Sequence, residues 1–150
     1  MVGGTENHDK LDIVELIDVN LDCTIQPIPM RASGLSSVNG MVCGGAVTIG
    51  SKTIYNSKCW QLNPNGTWST VKPMSEGKNQ FTLNMVGKEI FAIGGYDAYG
   101  ISFTVEKFSG GSLGNWTKLT KAPFAIRKHC TVLIDNFTLF VIGGENLKVR

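Results

Sequence analysis

One feature constrains this chain more than any other: a glycine doublet that recurs at the end of an apolar run. It appears as Val2-Gly3-Gly4, Val42-Cys43-Gly44-Gly45, Phe91-Ala92-Ile93-Gly94-Gly95 and Phe140-Val141-Ile142-Gly143-Gly144. The first glycines stand at 3, 44, 94 and 143, giving intervals of 41, 50 and 49. A fifth pair, Gly110-Gly111, sits in a polar stretch outside the series. Recurrence near 50 residues marks units that cannot bury their own faces alone and must stack on neighbours. With 42% hydrophobic residues and a net charge of only +2 in 150 residues, the chain has the makings of a packed core rather than of a disordered segment.

Other residues keep step with the doublets. Trp68 and Trp116 precede the next doublet by 26 and 27 residues, and each opens a short strand, Trp68–Val71 and residues 116–119. Beyond them come Pro73-Met74 and Pro123-Phe124, and then a cation, Lys78 or Arg127. The first interval is degenerate, with Pro29, Met30 and Arg31 present but Cys23 and Ile25 where a Trp is expected.

Within one period, β-branched and aromatic runs bounded by turn residues predict four short strands. In the best-formed unit these are residues 80–86, 89–93, 103–108 and 116–119, with a tight turn at Gly87-Lys88. Asn39-Gly40 is a preferred two-residue hairpin turn, and Asp135-Asn136 tolerates positive φ. No amphipathic helix of useful length is legible, so the expected class is all-β. Each doublet is expected to let the second strand leave its sheet abruptly, since glycine adopts positive φ and admits close backbone approach. Trp68 and Trp116 are expected to pack broad apolar area between neighbouring sheets.

These residues together resemble the kelch repeat over essentially the whole chain. The pattern is carried by FAIGG at 91–95, VEKF at 105–108, Trp116, and AP…R at 122–127. The missing first Trp, and Lys78 where the pattern has Arg, are departures. The resemblance implies β-propeller blades: four-stranded antiparallel sheets around a central channel. Mapped this way, the chain is a half blade (1–34), two blades (35–78 and 79–127) and a second half blade (128–150). That makes about three blades' worth, too few to close as a single chain when rings have roughly four to eight. Either the sequence is a fragment of a longer propeller, or two chains complete each other head to tail through their complementary halves.

The resemblance also points to a binding surface. In kelch propellers, the loops joining strands two to three and the linkers between blades commonly form it. Here they carry Tyr96, Asp97 and Tyr99, and Arg31, Lys78 and Arg127. The alternative for the cations is structural, tying one blade to the next; for Tyr96-Asp97 it is shaping a turn. The implied function is a non-catalytic module for a protein partner. A piece of a propeller oxidase or carbohydrate-active enzyme, or of a ubiquitin-ligase substrate adaptor, is the alternative.

Cys43 and Cys59 fall on adjacent strands of one blade, a spacing of roughly 4.5–5.5 Å that suits a disulfide. Buried thiols acting as small apolar residues suit it equally. Cys23 and Cys130 have no evident mates, and four cysteines without CxxC spacing argue against zinc. Three sequons, at Asn65, Asn115 and Asn136, all fall in turns at the end of the blades opposite the candidate surface. About 1.6 would arise by chance, so their number proves nothing. No cofactor motif is present, and His8 and His129 form no recognisable catalytic constellation. Nucleic acid is not an expected partner at a net charge of +2, nor is a membrane, since no apolar run approaches a span. Val42-Cys43-Gly44-Gly45 followed by Cys59-Trp60 resembles extracellular kelch-type proteins, and that resemblance leans the expected setting towards extracellular over cytoplasmic, although residues 1–10 lack the basic start and apolar core of a signal peptide.

Overall fold

The computed structural model describes residues 2–6, 9–17 and 23–146, with side chains described from Pro27 onward except that of Ser112. Every paired strand is antiparallel, and no α-helix occurs among the described residues. The first sheet holds β1 (Val2–Glu6), β2 (Asp9–Ile17) and β3 (Cys23–Pro27) in that order. The second is a meander of β4 (Ser33–Val38), β5 (Met41–Ile49), β7 (Cys59–Leu62) and β8 (Trp68–Val71). Its fifth strand, β6 (Lys52–Tyr55), pairs with the far end of β5. The third sheet repeats the meander with β9 (Thr82–Val86), β10 (Glu89–Ile93), β13 (Val105–Ser109) and β14 (Asn115–Lys118). Between β10 and β13 a small hairpin projects, β11 (Tyr96–Asp97) with β12 (Gly100–Ile101). A last pair, β15 (Cys130–Leu133) and β16 (Leu139–Ile142), ends the described chain. Among the described residues no sheet closes on itself.

The expected strands are therefore present with ends shifted by one or two residues. Two features depart from the sequence reading. The doublet at 44–45 does not end its strand: β5 runs through it to Ile49, and the β5–β6 hairpin about Gly50-Ser51 was not legible. Both glycines of the doublets at 44, 94 and 143 do take positive φ, from 62° to 107°.

The core lies between the two meanders. Met41, Cys43, Cys59 and Met74 meet Phe81, Leu83, Ile90, Ala92 and Phe108, with Trp116 packed against them. Each fully buried side chain of this size contributes roughly 1.5–3 kcal/mol. Trp116 lies with its ring centroid 5.2 Å from that of Phe108 and donates its indole N–H to the Lys72 carbonyl of the preceding unit, 2.9 Å away. It thus binds one sheet to the next, as a Trp at that place was expected to. Trp68 is half-buried at the corresponding position.

Candidate functional site

The joints between units are built by a repeated backbone device. Gly34, Gln80 and Lys128 each adopt left-handed φ (69°, 55° and 53°) just before an inner strand or at its start. Gln80 donates its N–H to the Gly34 carbonyl, and Lys128 to the Gln80 carbonyl, each at 2.9 Å. One residue earlier, Ser33, Asn79 and Arg127 pair across to Ala46, Tyr96 and Glu145, the residues that follow each doublet. The second doublet glycine also donates to the next linker, Gly45 to Lys78 at 2.9 Å and Gly95 to Ile126 at 2.7 Å.

The doublets make room for this joint. A Cβ on Gly44 would lie 2.5 Å from the Phe81 ring and 2.6 Å from the Lys78 carbonyl; one on Gly94 would lie 2.4 Å from the Ile126 carbonyl and 3.1 Å from the His129 ring. The first glycine of a doublet is therefore the socket for the next unit.

This register corrects the sequence reading of the cations. Arg31, Lys78 and Arg127 do not share one repeated position: Arg127 corresponds to Asn79 and Ser33, while Lys78 corresponds to Ile126 and Ala32. Lys78 is also not presented to solvent. Its side chain and that of Glu106 are both 0% exposed, with Nζ 2.7 Å from Glu106 Oε1 and 2.7 Å from Thr104 Oγ1. The other carboxylate oxygen of Glu106 accepts from the Ser75 N–H at 2.8 Å and from the Ser75 hydroxyl. Burial pushes the Glu106 carboxyl up, but the Lys78 charge and the hydrogen bonds from Lys78 and Ser75 outweigh it and hold it below the usual value. Lys78 thus fixes the linker to the third strand of the next sheet and offers a partner nothing. Glu106 escaped the sequence reading; its one signal is a carboxylate two residues before Phe108, on the inward face of β13.

Tyr96, Asp97, Tyr99 and Arg127 do come together, at the end of the sheets where the β10–β13 connection meets the linkers. Tyr55 and Tyr96 have ring centroids 5.8 Å apart, and the Arg127 guanidinium carbon lies 4.8 Å over the Tyr96 ring. Arg127 continues the row to Glu145 through Nη2 at 2.7 Å and Nε at 2.9 Å, and Lys128 joins at 2.6 Å. The row crosses two joints. Burial first, then Tyr96 and Asp97, push the Tyr55 phenol above its ordinary value. Asp97 is buried and accepts the Tyr99 N–H at 2.8 Å, which shapes the β11–β12 turn. That turn holds Tyr99 95% exposed.

Tyr99 divides two clefts. One, of about 420 Å3, is floored by Ile101, Phe103, Val105 and Leu119 and edged by Lys118 and Lys121. The other, of about 370 Å3, lies against the β5–β6 hairpin and is lined by Lys52, Ile54, Tyr55 and Gly77. Glu76 borders both and pairs with Lys118 at 2.5 Å. Arg31 is exposed on the first linker.

Cys43 and Cys59 face each other across β5 and β7 and form a disulfide. Cys130 is free and exposed; the Cys23 side chain and His8 lie outside what is described. Asn65, Asn115 and Asn136 are exposed at the other end of the sheets from Tyr99. His129 is buried while Cys130 is exposed, so the neighbours point apart. The imidazole Nε2 lies 3.1 Å from Thr82 Oγ1, and burial lowers its pKa. Among the described residues no group of three or more His, Cys, Asp or Glu gathers to hold a metal, and no helix is long and apolar enough to cross a membrane.

No family model matches the chain. It is 23% identical over 112 residues to Kelch repeat and BTB domain-containing protein 2 of Cowpox virus (strain Brighton Red), a match covering 74% of this chain and 19% of that protein. The protein of the same name from Cowpox virus (strain GRI-90 / Grishak) is 23% identical over 108 residues, covering 71% of this chain and again 19% of the relative. The chain therefore spans about a fifth of the length of the curated relatives it matches. At this identity the similarity supports a kelch-like relationship and nothing finer.

Proposed function

We propose that this chain is a segment of a kelch-type propeller that acts as a non-catalytic protein-interaction module. It is divided as 1–34, 35–78, 79–127 and 128–150, and binds a protein partner on the surface around Tyr99. The observation that carries the reading is the placement of that ring. An almost fully exposed tyrosine, fixed from behind by the buried Asp97, stands between two apolar clefts with lysines at their edges. Tyrosine and arginine supply large area with directed hydrogen bonds, the usual chemistry of binding hot spots. Tyr96 and Arg127 support the surface from beneath, and Arg31 extends it along the first linker. The sheets beneath hold these loops rigidly, which is what a recognition surface needs.

The Cys43–Cys59 bridge favours an oxidising compartment. There, glycans at Asn65, Asn115 and Asn136 would cover the opposite end and leave the Tyr99 end bare. An unchanged mass after deglycosylation of secreted material sinks that part. A second reading comes from the relatives, whose name joins kelch repeats to a BTB domain. In a longer protein of that kind, the same surface would select the substrate of an adaptor. Metal analysis with a sugar-oxidation assay separates both readings from a propeller oxidase.

The surface itself is tested by placing a photo-crosslinking residue at 99 and, as a control on the opposite end, at 65. Protein adducts specific to position 99 are expected. Equal adducts at both positions, or none at 99, reject the assignment.

A further inference from the structure

At the end of the sheets away from Tyr99, the core between the two meanders is not sealed. Farther along the strands it is filled by Cys43 and Cys59 against Phe81 and Leu83. Towards this end Met41 on β5 faces Gln61 on β7, the place where an apolar side chain would carry the core on to the turn. The Gln61 amide instead donates to the backbone, to the Asn39 carbonyl at 3.1 Å and the Leu62 carbonyl at 3.2 Å. Beside it lies a pocket of about 300 Å3.

The walls of the pocket are apolar and come from both units. Met41 and Val71 form one side, and Met85, Ile90 and Phe108 the other. Met41, Ile90 and Phe108 are buried, so the pocket reaches the core itself. Two unbranched thioethers among five side chains make walls that adjust to the shape of what enters. Pockets for small molecules share this make-up: an apolar lining, a few polar groups, and volumes from roughly 300 Å3 upward. The polar groups here stand at the mouth, where Asn39 and Lys88 are exposed on the two hairpin turns. Lys88 has no ion-pair partner among the described residues. Its neighbour Glu89 is engaged elsewhere, with Lys107 at 2.9 Å and the Ser109 hydroxyl at 2.8 Å. Adjacent strand residues point to opposite faces, so with Ile90 turned to the pocket Glu89 is turned away. Among the described residues Lys88 is the one charged group that lines the pocket.

We propose that this pocket binds a medium-chain fatty acid, its acyl chain between the meanders and its carboxylate held at the mouth by Lys88 and the Asn39 amide. Apolar walls with a single cation at the rim complement an apolar body with one anionic head. The exposed ammonium meets that head in water, so no bare charge is buried. Volume sets the chain length. A cavity of about 150 Å3 with comparable walls holds benzene, so this one, about twice as large, takes a chain of about eight to ten carbons. Each methylene buried tightens binding about fourfold until the pocket is full. The site lies apart from the Tyr99 surface, and neither reading depends on the other.

Titration of octanoate into the full chain, produced without glycans and with isotope-labelled methionine methyl groups, tests the proposal by nuclear magnetic resonance. The Met41 and Met85 signals should shift together and saturate, while that of Met30, on the first linker, stays in place. Hexanoate, two methylenes shorter, should bind roughly fifteenfold more weakly. Lys88→Glu, an exchange at an exposed turn, should weaken octanoate about tenfold and leave 1-octanol unaffected. Val71→Phe, which fills the pocket, should abolish binding of both with an unchanged circular-dichroism spectrum. Absence of a saturable shift overturns the proposal, as do shifts shared equally by Met30. Octanoate binding that is indifferent to Lys88→Glu, or no tighter than that of 1-octanol, overturns it as well.

Discussion

In the first meander the residues facing each other beside the doublet are Cys43 and Cys59; in the second they are Ile93 and Val105. A second substitution sits at the joints. Where the first joint has Ala32 in the linker and Trp60 on the third strand, the second has Lys78 and Glu106 at the corresponding places. All four of these joint residues are buried. The backbone plan is the same in both, and a small residue with a large ring has been exchanged for an ion pair. The difference teaches that the unit is specified by its doublet, its left-handed linker residue and its strand register. The chemistry that holds two units together is free to vary.

The largest expected effect comes from breaking the ionic joint. Lys78→Met leaves the Glu106 carboxylate buried without its counter-charge, and urea unfolding should show a loss of about 3–5 kcal/mol. If the joints are equivalent, Lys78→Ala combined with Glu106→Trp copies the first joint into the second and recovers much of that loss. A double variant no better than the single one breaks the comparison. The pair also carries a pH signature. The folded Glu106 carboxyl sits below its ordinary 4.5, so its contribution is complete above that value and lost as pH falls through the lower folded value. Glu106→Gln should flatten that acid-side decline.

Next in size is the disulfide. It closes a loop of 16 residues, and its reduction should cost about 3 kcal/mol. Cys43→Ile with Cys59→Val, the pair used by the second meander, should lose less than reduction does. Thermal melts with and without reductant measure both.

The sockets sharpen the contrast further. Gly44→Ala must push the Phe81 ring and the linker carbonyl aside as well as strain the backbone, and should cost more than about 2 kcal/mol. Gly143→Ala, into open space, should show only the left-handed strain of about 1–2 kcal/mol. Equal costs would mean that Gly143 is not an empty copy of Gly44. The smallest effect expected is for Trp116→Phe, which keeps a ring against Phe108 but drops the hydrogen bond to Lys72, at about 1 kcal/mol.

Much of the scaffold was legible because its signals are local. An apolar run ending in two glycines states its own strand, its own turn and its own period. Register between units was not, because it is set by residues that look ordinary. Gln80 and Lys128 hold left-handed φ without being glycine, so nothing in their identity marks them as the joints' reference points. Arg31, Lys78 and Arg127 each follow a proline-led linker, but they stand one residue out of step with one another in the joint register. Tyr96, Asp97 and Tyr99 were found because they follow a doublet directly. Glu106 was missed because a carboxylate in an alternating strand reads as outward-facing, until a lysine from the preceding linker is seen to meet it.

The β5–β6 hairpin stands beyond Cys43 and Cys59, with its Gly50-Ser51 tip in the open. A protease that cuts there divides the polypeptide into two pieces of unequal length without releasing either. The bridge spans the cut, so the nicked protein keeps its full mass on a non-reducing gel and falls into two bands only when reduced. Covalent continuity of this molecule thus has two routes past the tip, one through the backbone and one through sulfur.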